Sequence, residues 1–255
     1  MMRIRILGCS GGIGVGLRTT SLLVDDDILI DAGTGLGDLT LEEMARIRHI
    51  FITHSHLDHI AGLPLMTDSI FGEIEQPITL HAAAETLAAL REHVFNWIVW
   101  PDFTQLPTPQ GGVLRYSVMA HGEVREIAGR RIRMIPVNHV VPGVGYGIES
   151  AGRVAVFSGD TTTNDTLWAA LNDYPGVDAL IVECAFPNQE LELCRRAYHY
   201  CPELLAADLR KLRHRPRLYL THLKPGAEAR IEGECRDLIK GFELRRLFGG
   251  DLIQL

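Results

Sequence analysis

Apolar positions along this chain follow two periods, and their alternation predicts the elements. Residues 3–7 alternate polar and apolar as a strand does, and residues 21–24 and 28–31 predict two more strands joined by Asp25-Asp26-Asp27. Thr40-Leu41-Glu42-Glu43 has the capping-box form of a helix start, with Leu41, Met44, Ala45 and Ile47 as its buried stripe. A buried strand at 49–53 follows. If the extended conformation persists through residues 50–58, His54, His56 and Asp58 share one side, and His59 breaks the alternation. Residues 60–70 predict a short helix interrupted at Pro64, 77–81 a strand, and 84–97 a helix with Leu87, Leu90 and Val94 on one face. Strands are expected at 124–127, 131–137, 145–150 and 154–158. Helices at 164–172 and 202–212 then alternate with strands at 179–182 and 218–221. This mixture predicts an α/β sandwich with ligands at strand ends along one edge. No linker or repeat interrupts it, so residues 1–255 read as a single domain of two halves, 1–150 and 151–255.

Composition narrows the partners. With 255 residues and 46% hydrophobic positions the chain fills a substantial core, and a net charge of −7 argues against a broad basic surface for nucleic acid. No apolar run is long enough for a membrane span, and the N-terminus lacks the apolar core of a secretory signal. The five cysteines, Cys9, Cys184, Cys194, Cys201 and Cys235, form no Cys-x-x-Cys pair and fit reduced thiols in a cytoplasm. The run from Gly8 to Gly16 holds five glycines, but no GK[ST] and no helical pattern follow it. It reads as a tight connection near the site rather than a nucleotide loop.

The chemistry concentrates in His54-Ser55-His56-Leu57-Asp58-His59, four metal-ligand side chains in six residues. Three further groups stand at strand ends: His139, Asp160 and His222. A carboxylate bridges two cations because its oxygens point apart, so Asp160 is the natural shared ligand. One metal then takes His54, His56, His139 and Asp160, and the other Asp58, His59, Asp160 and His222. Nitrogen and carboxylate donors without thiolates suit two zinc ions, with manganese or iron as alternatives. Such a pair activates water near neutral pH and clamps a phosphoryl group, and Asp58 could orient that water or accept its proton. Asp31 is either an outer partner of the metal ligands or a turn acid. Asn138 and Lys224 flank ligands and could touch phosphate. The aromatic segment around Trp100 is core, a wall for a planar ligand, or a contact in a homodimer.

The pattern His54-x-His56-x-Asp58-His59, then His139, Ser158-Gly159-Asp160-Thr161 and His222, resembles the metallo-β-lactamase superfamily. That resemblance implies an αββα sandwich with a dinuclear site. Within it, residues 56–62, 95–103 and 221–225 are most similar to class II 3′,5′-cyclic-nucleotide phosphodiesterases, although Pro64 and Thr67-Asp68-Ser69 depart from that pattern. The implied reaction is hydrolysis of a cyclic nucleotide such as cAMP or cGMP to the 5′-nucleotide. By resemblance to the tRNA 3′-processing ribonucleases of the same superfamily, His199 would be a general acid oriented by Glu183. A tRNA endonuclease is the alternative activity, and a non-catalytic metal-stabilised scaffold the alternative of another class.

Overall fold

The computed structural model describes residues 1–255. Its first sheet has seven strands in the order β16-β1-β2-β3-β4-β5-β8, where β1 is Arg3–Gly8, β2 Ser21–Val24, β3 Ile28–Ile30, β4 His49–Phe51, β5 Ile78–Ala82, β8 Leu114–Val118 and β16 Leu252–Gln254. The short ribbon of β6 (Pro107–Thr108) and β7 (Gly111–Gly112) stands apart. The second sheet runs β15-β14-β13-β12-β11-β10-β9. Its strands are β9 Val124–Ile127, β10 Arg130–Val137, β11 Gly143–Ser150, β12 Arg153–Phe157, β13 Ala179–Glu183, β14 Arg217–Thr221 and β15 Leu244–Arg246. The chain changes sheet between β8 and β9 and returns with β16, so the sheets do not divide at residue 150.

Alternation along each strand explains the layers. In β3, Ile28 and Ile30 join a core between the sheets while Leu29 faces the helices; in β13, Ala179 and Ile181 face inward while Leu180 and Val182 face out. Both faces are therefore buried. Helices α1 (Leu41–Arg46), α3 (Gly62–Ser69) and α4 (Ala84–His93) cover the first sheet through Met44, Leu63, Met66, Leu87 and Leu90. Helices α5 (Thr166–Asn172), α7 (Pro202–Asp208) and α8 (Glu228–Leu238) cover the second through Trp168, Leu205 and Ile231. The result is an αββα sandwich. The sheets are also joined directly, for the Tyr146 hydroxyl donates to the Ile52 carbonyl at 2.9 Å.

Several local expectations change. The Thr40 capping box forms, yet Leu41 is exposed and Met44 and Ile47 carry the buried stripe. Residues 57–60 are helical (α2, Leu57–Ile60), so the extended run stops before Asp58. Pro64 does not break a helix: it sits in the first turn of α3, where a missing N–H costs nothing, and the break lies at Ala61. Helix α4 ends at His93, four residues early, and Trp97 takes a left-handed φ of 67°. Helices α6 (Leu191–Ala197) and α8 were not signalled by the periodicity.

Candidate metal centre

Strand β4 delivers the histidine motif to the edge between the two sheets, and the single turn of α2 replaces strand alternation as the device that gathers it. His56 is the N-cap of α2, and Asp58 and His59 lie within it. From the second sheet, His139 follows β10, Asp160 follows β12 and His222 follows β14. The backbone is contorted at two of these points. His222 has a φ of 62°, and Gly159 has a φ of 61° with Val144 O only 2.4 Å from where a Cβ would stand, so no larger residue fits beside Asp160.

Two donor sets result. His54, His56 and His139 converge, with His139 Nε2 3.2 Å from His56 Nδ1. Asp58, His59, Asp160 and His222 form the second set. Asp160 Oδ2 lies between them, 3.3 Å from His59 Nε2, 3.3 Å from His222 Nε2 and 3.7 Å from His54 Nε2. Asp58 Oδ2 stands 3.9 Å from His59 Nε2 and 3.8 Å from His222 Nε2.

The surrounding hydrogen bonds assign the tautomers. His59 Nδ1–H donates to Asp31 Oδ2 at 2.7 Å, His139 Nδ1–H to the Tyr198 carbonyl at 3.0 Å, and His222 Nδ1–H to Thr20 Oγ1 at 3.4 Å. His54 Nδ1–H donates to Thr53 Oγ1 at 3.0 Å, whose own hydroxyl donates to Asp31 Oδ2 at 2.8 Å. Each ring thereby turns an Nε2 lone pair inward. The Nε2 atoms of His54 and His59 are buried and have no hydrogen-bond partner, which is costly for a polar atom unless a cation completes it. The local charge points the same way. Burial opposes charging His59, but Asp160 and Asp31 outweigh it and raise its pKa well above the usual histidine range. Burial alone would raise Asp160, yet His222 and His59 hold its carboxyl well below the usual range. A cluster whose carboxylates draw a proton onto His59 fits divalent cations, which would take that proton's place between the imidazoles and Asp160.

Beside it sits a buried histidine–glutamate pair. His199 Nδ1–H donates to Glu183 Oε1 at 2.8 Å, and the His199 ring stacks on His222 with centroids 5.3 Å apart. Burial works against a charge on His199; Glu183 overcomes it and raises the pKa. Asp160, His139 and His199 also approach closely enough to share an ion.

The other sequence candidates have hydrogen bonds and packing contacts of their own. Lys224 Nζ donates to the Gly11 carbonyl at 2.8 Å, so it straps the glycine-rich loop to the segment carrying His222. Asn138 Nδ2 donates to the Thr163 carbonyl at 3.0 Å and ties β10 to the Asp160 loop. Trp100 is partly buried and packs against the core cluster that includes Phe95 and Phe103. Asp31 is the outer partner of His59. Thr20, Thr53 and the Tyr198 carbonyl were not anticipated, because single hydroxyls and carbonyls carry no sequence signal of their own.

Comparison with known proteins agrees with this geometry. Residues 26–223 match the family model described as the Beta-lactamase superfamily domain. A probable 3′,5′-cyclic-nucleotide phosphodiesterase of Yersinia pestis is 26% identical over 248 residues, covering 81% of this chain and 71% of that protein. A ribonuclease Z of Haloarcula marismortui is 31% identical over 167 residues, 61% of this chain and half of that protein. The crystal structure of unliganded yeast PDE1 superposes over 100% of this chain and 99% of that one, with a TM-score of 0.82 at 20% identity. The chain belongs to the metallo-β-lactamase superfamily.

Proposed function

We propose that this chain hydrolyses a 3′,5′-cyclic nucleotide to its 5′-nucleotide with two divalent ions, zinc by the chemistry of its donors. The observation that carries the reading is Asp160, whose Oδ2 stands within 3.3 to 3.7 Å of histidine nitrogens from both donor sets. His54, His56 and His139 would hold one ion, Asp58, His59 and His222 the other, and Asp160 both. When bound, such a pair supplies Lewis-acid activation of water and neutralises phosphoryl charge. The chain's own residues then manage the proton. Asp58, 30% exposed at its side chain and the most accessible carboxylate of the cluster, orients the attacking water. His199, held protonated by Glu183, gives its Nε2 proton to the departing 3′ oxygen, which leaves poorly as an alkoxide. The net charge of −7 favours a small substrate over RNA. Buried thiols such as Cys184 and Cys235, 3.8 Å apart and unpaired, suit a cytoplasmic setting.

The likeness to ribonuclease Z and the Glu183–His199 pair give tRNA 3′ cleavage a place as the second reading. Assay of the zinc-loaded protein against cAMP, cGMP and precursor tRNA separates the two. Turnover of cyclic nucleotides is expected; cleavage of precursor tRNA alone would overturn the first reading. Inactivity toward every diester, with one bound ion, would leave a scaffold. Asp160→Ala should drop the bound zinc below two equivalents by elemental analysis, and unchanged stoichiometry would refute the shared ligand.

A further inference from the structure

We infer that Asp208 and Tyr200, which touch neither donor set, are positioning residues that hold the Glu183–His199 dyad in place for proton transfer. The inference rests on the reading of His199 as proton donor. Glu183 is fully buried and needs every lone pair satisfied. Oε1 accepts from His199 Nδ1–H at 2.8 Å and from the Thr161 amide at 3.0 Å, and Oε2 accepts from the Tyr200 amide at 3.3 Å. Both amides trace back to one carboxylate. The Tyr200 hydroxyl donates to Asp208 Oδ2 at 2.7 Å. The Asn164 amide donates to the same oxygen at 3.1 Å, while Asn164 Nδ2 donates to Thr161 Oγ1 at 3.1 Å. Trp168 Nε1–H completes the set on Oδ2 at 3.0 Å, and Lys211 Nζ balances the charge on Oδ1 at 2.8 Å.

Asp208 is 3% exposed and Tyr200 fully buried, so this is an interior network rather than surface pairing. Burying a carboxylate costs several kcal/mol unless its donors are all in place. An apolar residue at the end of α7 would fill the space without that requirement. What the carboxylate adds is direction. It draws together the loop after β12, the start of helix α5 and the segment between α6 and α7, on the side away from Glu183, which joins the same loop and segment through the Thr161 and Tyr200 amides. That last segment carries His199, is bent at Tyr198 (φ 55°), and is fixed again where the Ala185 and Phe186 amides donate to the Tyr200 carbonyl at 3.0 and 3.3 Å. Asp208 therefore sets the tyrosine's far end, the tyrosine's amide sets Glu183 Oε2, and Glu183 sets the imidazole. Proton transfer tolerates donor–acceptor distances of only about 2.6–3.2 Å, so a slack dyad loses acid catalysis first.

Zinc-loaded Tyr200→Phe and Asp208→Asn test this against diphenyl phosphate and bis(4-nitrophenyl) phosphate, which differ in how much they need an acid. Tyr200→Phe removes one hydroxyl and keeps the ring, which makes it the milder change for folding and the variant that keeps the test decisive. The expected result is about a tenfold loss of kcat for the phenyl ester, less than about twofold for the nitrophenyl ester, and unchanged KM. In ¹⁵N-labelled protein the His199 Nδ1–H resonance should broaden in Tyr200→Phe. Equal losses on both esters, or an unaltered His199 signal, overturn the inference. His199→Ala is the reference. If that variant also loses both esters equally, the proton-donor reading fails and carries this inference with it; if it discriminates and Tyr200→Phe does not, only the positioning role falls. A failure on cyclic nucleotides leaves the comparison of esters intact.

Discussion

Burial opposes a charge on His199, and the Glu183 carboxylate 2.8 Å away outweighs it, so the proton stays on at pH values where an ordinary histidine has lost it. A proton donor works below its own pKa, so on the proposed reading kcat for a poor leaving group should fall as pH rises through the His199 value. Glu183→Gln removes the raising charge and leaves the burial that lowers it. The descending limb of kcat against pH should move to lower pH in that variant. A limb that stays in place, measured with a poor leaving group, would show that another group titrates there. His199→Ala should cost about 100-fold or more with the same substrate, the usual size of general acid catalysis. The candidate ligands were legible, because metal chemistry needs imidazole and carboxylate groups, and His54, His56, Asp58 and His59 stand so close together. Their partners were not. Asp31 lies 28 positions from His59, and nothing in the sequence distinguishes it from an acid in a turn.

Among the elements, the short connections matter more than the strands they join. Gly159 turns the chain from β12 toward Asp160 with a φ of 61°, and a Cβ there would meet Val144 O at 2.4 Å. Gly159→Ala should destabilise the protein by about 1–3 kcal/mol, the usual size of such strain, and should also reduce bound metal. Urea unfolding and metal analysis on one sample check both, and intact metal binding would show that the loop relaxes elsewhere. Thr40→Ala, by contrast, removes an exposed cap and should cost only about 1 kcal/mol with no effect on the site. The same contrast explains what the sequence could tell. Runs such as Ala-Leu-Ile-Val at 179–182 announced β13, and Thr40 with Glu43 announced α1, because local spacing alone decides those outcomes. Helix α2 was missed for the converse reason. Four residues carry no readable period, and the turn holding Asp58 and His59 is fastened from a distant part of the chain, where the Ala32 amide donates to the His59 carbonyl and the Gly62 amide donates to the Ala32 carbonyl, both at 2.7 Å. Helix α8 has only Ile231 and Cys235 fully buried, too few apolar positions to reveal its face.

At the scale of the molecule, the two sheets are fastened at opposite edges by different chemistry. Along one edge, His54, His56, Asp58 and His59 from the first sheet face His139, Asp160 and His222 from the second, so ions held there would join the layers. At the other, Arg130 at the start of β10 is 6% exposed and reaches across to the turn between β2 and β3. Its Nη2 donates to Asp27 Oδ2 at 2.8 Å, and Nη1 donates to Asp25 Oδ2 at 3.2 Å. Binding to the folded chain alone stabilises it by about 4 kcal/mol when free ion exceeds the dissociation constant a thousandfold. For a chain of this size each kcal/mol moves Tm by about 2–4 °C, so chelation should lower Tm by about 8 °C or more. Arg130→Met should lower Tm too, because it strands two carboxylates. The decisive comparison is between the fasteners. Sites this far apart with no shared partner act additively, so the Arg130→Met loss should be the same with and without metal, whereas Asp160→Asn should shrink the response to chelator. Calorimetry on the four combinations reads this directly. If the Arg130→Met loss grew when metal was removed, the two edges would be coupled through the core between the sheets, and the layers would open as one unit rather than at independent seams.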